Sequence, residues 1–312
     1  MLKIFLFQPF RIEKSTPTDF ISTSYRVYHM ELDRFRPGYL VYTDLFALMT
    51  SDGTTTHVIA GNSTQGGYRE GVGAEARFRY ITGFAQISEK LVVVADPDNH
   101  CLRLIDLTTN KTSAFSGQCK PLGYKGGRPG QFFFPRSVVM DKRDKNQLLI
   151  TDSWNKSVRT VGVESQAVGT FLQSASLDNI IGITQEEKSG DLYVTAEHAL
   201  YKITYIQKTL SLISGSMSTG GYKDSTLRKS LFNYLEALIF ITPETLLVAD
   251  YANNKLRLLD MKSDKVTTLS VTNSLYRPAS LLLTNNSLYV GQYKKITQYK
   301  CEYSFTTNHL KQ

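Results

Sequence analysis

No apolar stretch in this chain approaches the roughly 18 to 20 residues that a membrane-spanning helix needs, so no helical span is expected. Histidine is scarce: five in 312 residues, at positions 29, 57, 100, 198 and 309. A catalytic zinc site takes three converging protein ligands, and only His100 and His198 occupy related places, each just after the end of a strand-like run. No acid supplies a third ligand by spacing, so neither a metal nor a cofactor is expected. A glycine-rich phosphate loop, a nucleophile elbow and a paired-carboxylate motif are also missing, which leaves no catalytic residue to assign. Lys and Arg outnumber Asp and Glu by 36 to 28, a net charge of +8, yet no five basic residues stand together. Dispersed charge of this kind describes a solvated surface rather than a nucleic-acid track. The opening Met1–Phe10 is apolar but short for a secretory core, and no small-residue cleavage site follows it.

What the chain does have is a repeat. Leu91–Asp106 (LVVVADPDNHCLRLID), Leu148–Arg159 (LLITDSWNKSVR) and Leu246–Asp260 (LLVADYANNKLRLLD) share one layout. An apolar, β-branched run ends in Asp, a polar turn containing Asn follows, and an Arg stands seven residues after the Asp. The run is a strand buried on both faces. Asp can fix the turn by accepting a backbone N–H, Asn tolerates left-handed backbone, and the Arg can fold back onto the Asp as a charge-assisted pair. The structural repeat residues are thus Asp96, Arg103, Asp152, Arg159, Asp250 and Arg257. Weaker copies at Leu40–Asp44, Leu192–Ala196 and Leu288–Gln292 put anchors at 44, 96, 152, 196, 250 and 292, separated by 52, 56, 44, 54 and 42 residues. A step near fifty is enough for four strands, and six such units fill most of the chain.

A second signal lies between the hairpins. Gly66–Gly71 leads to Phe78, Leu122–Gly127 leads to Phe132, and Gly220–Asp224 leads to Phe232, each with a Gly-Tyr-basic core. The fourth unit, entered through Gly169–Ser174, lacks it. Tyr25–Leu32 alternates as a strand and is expected to supply the strand that the last unit lacks, closing a ring without open sheet edges.

The pattern apolar-Ala-Asp-x-x-Asn-x-x-apolar-Arg, preceded by Phe-x-x-Pro-x-x-apolar at Phe132–Val138, resembles the NHL repeat. The resemblance covers roughly residues 40–300 and is strong in three units; elsewhere Ala196 and Gln292 replace the Asp, and Ile81 and Leu235 stand where Pro135 does. It implies an all-β, six-bladed β-propeller of four-stranded antiparallel blades, with residues 21–305 as the propeller, 1–20 as a poorly ordered N-terminal segment and 306–312 as a tail. In that topology the Asp–Asn turns and the Gly-Tyr-basic loops share one face. Tyr68, Arg69, Tyr124, Lys125, Trp154, Tyr222, Lys223 and Tyr251 gather there as ligand-binding candidates. The expected function is a non-catalytic binding module, monomeric, for a protein or glycan partner. Two alternatives stay open: a metal-dependent lyase resembling peptidylglycine-amidating lyase, and an RNA-binding propeller.

The cysteines bear on the compartment. With a tight turn at Thr108–Lys111, Cys101 falls opposite position 118, one residue from Cys119, and one bulge would bring the two into register. A Cys101–Cys119 disulfide is therefore expected, with Cys301 left over. Sequons at Asn62, Asn110, Asn155 and Asn285 sit in turn-like places. Together they favour an extracellular or lumenal glycoprotein.

Overall fold

The computed structural model describes residues 10–13, 16–34 and 36–302. Of the segment set apart at 1–20, residues 1–9, 14 and 15 lie outside the described residues, as do the tail 306–312 and His309.

Six antiparallel sheets follow one another along the chain and close into a six-bladed propeller. The first blade is Met30–Leu32, Leu40–Asp44, Ala47–Ser51 and Thr56–Gly61. The second is Phe84–Gln86, Leu91–Asp96, Cys101–Asp106 and Lys111–Ser116, with Gly71–Val72 added outside. Pro135–Met140, Gln147–Asp152, Ser157–Gly162 and Val168–Gln173 form the third; Ile180–Gln185, Leu192–Ala196, Ala199–Ile203 and Leu210–Gly215 the fourth. The fifth is Leu235–Thr242, Thr245–Asp250, Lys255–Asp260 and Lys265–Thr268. In the sixth, Ser280–Leu283 pairs with the long strand Ser287–Glu302, whose backbone turns back at Lys294, at φ +64°. The return is seen where the Cys301 N–H donates to the Asn286 carbonyl.

The outermost strand of this last blade comes from the other end of the chain. Thr18–Arg26 pairs with it, Thr18 opposite Gln298, Ile21 opposite Ile296 and Arg26 opposite Tyr293. The strand expected at Tyr25–Leu32 is in fact divided. Tyr25 and Arg26 end the closing strand, and Met30–Leu32 begins the first blade. The cause is the Thr43-Asp44 pair: Asp44 accepts the N–H groups of Ser24 and Tyr25 at 2.9 and 2.8 Å, and Thr43 Oγ1 those of Tyr28 and His29 at 3.0 and 3.2 Å. These bonds draw residues 27–29 across the gap between blades.

The second strands are buried along almost their whole length, as their apolar runs demand, because each blade is covered by a neighbour on both sides. Six hydrophobic clusters occupy the six blade junctions. Phe84 and Val92 meet Val41 and Leu48 at the first junction, for example, and Leu288 and Tyr299 meet Leu247 and Leu256 at the fifth. A blade without its neighbours would leave such a cluster in water.

Cys101 and Cys119 form the expected disulfide, with Cα atoms 4.9 Å apart. The register does break between Leu102 and Arg103, but the fourth strand ends at Ser116. Cys119 therefore lies beyond the strand, and the bond ties the next inter-blade loop to the third strand. Cys301 is free and buried, and burial pushes its thiol up to about 11.

Candidate functional site

In a meander of four strands, the turn between the second and third strands emerges at the same end as the loop to the next blade. This end is the upper face. Its loops are held by the repeat residues, through one shared set of contacts in the second, third and fifth blades. Asp96, Asp152 and Asp250 accept the N–H of Arg79, Phe133 and Asn233 at 3.0, 2.7 and 2.8 Å. Asn99, Asn155 and Asn253 donate both to these carboxylates and to the carbonyls of Gly67, Gly123 and Gly221. Arg103, Arg159 and Arg257 contact the same carboxylates at 3.5, 2.9 and 2.7 Å and donate to the carbonyls of Arg69, Lys125 and Lys223. All six charged side chains are fully buried or within 1% of it. Burial, opposed by these partners, pushes Asp96 up to about 7 and Asp152 to about 6.

The Gly-Tyr-basic loops thus serve as the third part of this clamp. Tyr68, Tyr124 and Tyr222 stack on the three guanidiniums, with ring centroids 4.5, 4.5 and 5.0 Å from the Arg Cζ. The Tyr124 and Tyr222 hydroxyls reach Thr170 and Thr268 at 3.0 and 2.9 Å, on the outermost strands. Each of these tyrosines packs on the arginine of its own blade, in a loop that leaves the upper face and runs along the blade's outer edge. Arg69, Lys125 and Lys223 beside them are exposed.

Trp154 and Tyr251 lie in the turns, nearer the ring centre. Trp154 stacks on Phe134 at 4.9 Å and meets Phe133 edge-on at 4.7 Å. Both Phe134 and Tyr234 hold left-handed backbone, φ +66° and +56°, which is uncommon for bulky side chains. Exposed Tyr and Trp side chains among the described residues gather at the upper-face strand ends, turns and loops, as Trp154, Tyr25, Tyr234, Tyr276 and Tyr293, while Tyr124 and Tyr222 are exposed at the blades' outer edge. Val58, Val72 and Ile206 are exposed large aliphatics away from these turns.

At the centre of that face the innermost strands surround a channel with a cavity of about 240 Å³. Its mouth is polar. Arg136 from the third blade pairs with Glu236 from the fifth at 3.2 Å, and both are nearly buried. Arg26 donates to the Tyr28 hydroxyl at 2.9 Å and lies 4.4 Å from the Tyr251 ring centroid. The Tyr28 hydroxyl also meets that of Tyr80, and burial raises Tyr28 to about 12. The sequence reading reached Tyr251 here but missed Arg26, Tyr28, Arg136 and Glu236. A signal was present: Arg136 and Glu236 are charged residues immediately after Pro135 and Leu235, opening strands that face no solvent-exposed sheet surface.

His100 and His198 do not meet. Each accepts a backbone N–H through Nδ1, from Phe134 at 3.4 Å and from Tyr234 at 3.2 Å. Among the described residues no three His, Cys, Asp or Glu side chains converge as a metal-ligand group.

No protein-family model matches the chain, and no curated protein does. Solved structures do match its fold. An auxiliary nutrient binding protein from Bacteroides ovatus superposes with a TM-score of 0.68 at 12% identity, covering 89% of this chain and 69% of that one. Virginiamycin B lyase from Staphylococcus aureus gives 0.60 at 10% identity over 94% and 99% of the two chains. A nidogen/laminin complex gives 0.57 at 12% over 81% and 84%. At these identities the likeness is one of fold, the six-bladed β-propeller.

Proposed function

We propose that the chain is a non-catalytic binding propeller of NHL type that captures a protein or glycan partner on its upper face. One observation carries this reading: the exposed side chains of Tyr25, Trp154, Tyr234, Tyr276 and Tyr293 all belong to strand ends, turns and loops at that face. Tyr and Trp are the residues most enriched among those that dominate interface energies, and basic neighbours add electrostatic reach. Tyr68, Arg69, Tyr124, Lys125, Tyr222 and Lys223 form the outer part of the surface, and Trp154 and Tyr251 the inner part. Propellers with other ligands share this fold, so the argument rests on the site and not on the likeness.

An extracellular or lumenal home agrees with the Cys101–Cys119 bond, since disulfides persist in oxidising compartments. The exposed sequon residues Asn110 and Asn285 sit in turns on the opposite face, where a glycan would leave the binding surface clear. Asn155 is spoken for, because its amide already donates to Asp152 and Gly123.

The test is a screen of the purified chain against glycan and extracellular-protein arrays. Hits should be lost in the double variant Trp154→Ala/Tyr276→Ala and kept in Ile206→Ala, a change on the opposite face. Hits that survive the double variant, or that Ile206→Ala removes equally, would sink the assignment of the face.

A further inference from the structure

We propose that the channel mouth is a carboxylate site, in which a small acid enters end-on and its carboxylate lies between Arg26 and Arg136. This inference rests on the reading of the upper face as the binding face, and it names the chemistry at the centre of that face.

The geometry begins with an imbalance. The guanidiniums of Arg26 and Arg136 lie 5.1 and 5.9 Å from the centroid of one ring, that of Tyr28. Both guanidiniums thus stand against one phenol ring at the channel mouth. Glu236 balances one of them. Arg26 has only a neutral phenol, the Tyr28 hydroxyl, as its side-chain acceptor. Moreover, the Nε–H groups of both arginines are buried without any hydrogen-bond acceptor. A buried donor left unpaired carries a desolvation cost that no other contact returns. One bound monoanion would supply the missing acceptors and cancel the surplus positive charge together.

The form of the donors narrows the anion. A guanidinium presents a planar fork that matches a carboxylate with two parallel bonds. Between the two arginines of the mouth itself the surplus is a single charge, and Glu236 would repel a dianion. The aromatic walls, Tyr28 and Tyr251, can cover the flat or apolar side of the ligand body. Below the mouth the channel is lined by apolar side chains including Val139, Ile183, Leu238 and Leu281. At about 240 Å³ the cavity is smaller than the roughly 300 Å³ from which drug-sized ligands are enclosed. The fitting ligand is therefore one small acid, such as an acidic sugar or an acylated amino acid. Arg277, exposed and with its Cζ 5.7 Å from the Tyr251 centroid, adds positive charge at the entrance.

The experiment follows the arginine Nε–H signals of the full chain by NMR during titration with D-glucuronate and with N-acetylglycine. The methyl ester of each serves as the uncharged comparator, and inorganic phosphate as the competing anion. One or both acids should shift Arg26 and Arg136, with the responding acid identifying the source. Arg103, whose Nε is also buried without an acceptor but lies in the second blade, should not move. Arg26→Gln should weaken binding tenfold or more, and Glu236→Gln should strengthen it, a gain that a purely structural ion pair would not give. Both variants must melt like the parent to be counted, and Arg136→Gln is a second probe if Arg26→Gln does not. The proposal is overturned if neither acid shifts these signals, if the esters shift them equally, or if phosphate binds as well as the acids. Loss of array hits in Trp154→Ala/Tyr276→Ala would still stand after such a failure, so the two readings can fail separately.

Discussion

His100 shows how far one residue can depart from the role its type suggests. Its backbone is left-handed at φ +56°, where a turn needs it, and its ring is half-buried. Nδ1 accepts the Phe134 N–H while the ring meets Phe133 edge-on at 5.6 Å. Burial holds the pKa below the ordinary 6.5; nearby Asp98 works against this and Arg79 with it. A lowered histidine contributes stability that is complete above its unfolded value and is lost as pH falls through the folded one. Protonation at Nδ1 would also remove the acceptor for Phe134. Acidification from neutral pH should therefore loosen the Phe133–Trp154 contact at a midpoint below 6.5. Trp154 is the chain's sole tryptophan, so its fluorescence reports the event directly. The midpoint should vanish in His100→Gln. A titration at or above 6.5, or one unchanged in His100→Gln, would remove His100 as the cause.

Among the elements, the clamped inter-blade loop explains what the sequence revealed and what it concealed. The Asp–Arg contact was legible, because seven residues across a tight turn bring the two side chains together on adjacent strands. The packing of Tyr68, Tyr124 and Tyr222 on the arginines was not, since it depends on loops folding outward over the next blade. Where the Asp is missing, two different reasons apply. Gln292 does the same work with an amide, its Oε1 accepting the Tyr276 N–H at 2.9 Å. Ala196 belongs to the blade entered by residues 174–179, a loop too short to need pinning, and that blade has Ile203 where the Arg would stand. Arg and Gly-Tyr-basic loop are thus kept or lost together, whereas Asp44 pins its loop in the first blade with Ser51 where the Arg would stand. The clamp predicts that Arg159→Lys, though it keeps the charge, will cost about 2 to 3 kcal/mol, because the bonds to Lys125, Gln131 and Gly169 need the guanidinium fork. Denaturant unfolding measures the loss, and amide exchange should quicken at Lys125 and Gln131. Tyr124→Phe, which gives up only an exposed hydroxyl contact, should stay within about 0.5 kcal/mol of the parent. If Arg159→Lys also stays within that range, the loops are held by something else.

At the scale of the molecule, closure and the proposed site depend on the same strand. Each blade is buried by its two neighbours, so a ring that fails to close leaves two faces and one edge in water. Thr18–Arg26 prevents this by pairing across 276 residues of chain, with Asp19 held by Lys295 at 2.9 Å and the Val27 carbonyl accepting from Ser280. Contacts this distant in sequence bear the largest loop-closure cost and belong to the late part of folding. The strand then ends at the mouth, where Tyr25 and Arg26 join side chains from the other blades. Deleting residues 1–26 should therefore do more than trim an edge. The shortened chain should elute as oligomers or aggregate and lose cooperative melting. A synthetic peptide of residues 16–27, added in trans, should restore a monomer and return Arg26 to its place between Tyr28 and Tyr251. Size-exclusion chromatography with thermal melting reads both effects. A truncated monomer that melts at the parent temperature without the peptide would show that five complete blades and a three-stranded sixth are enough to hold the ring.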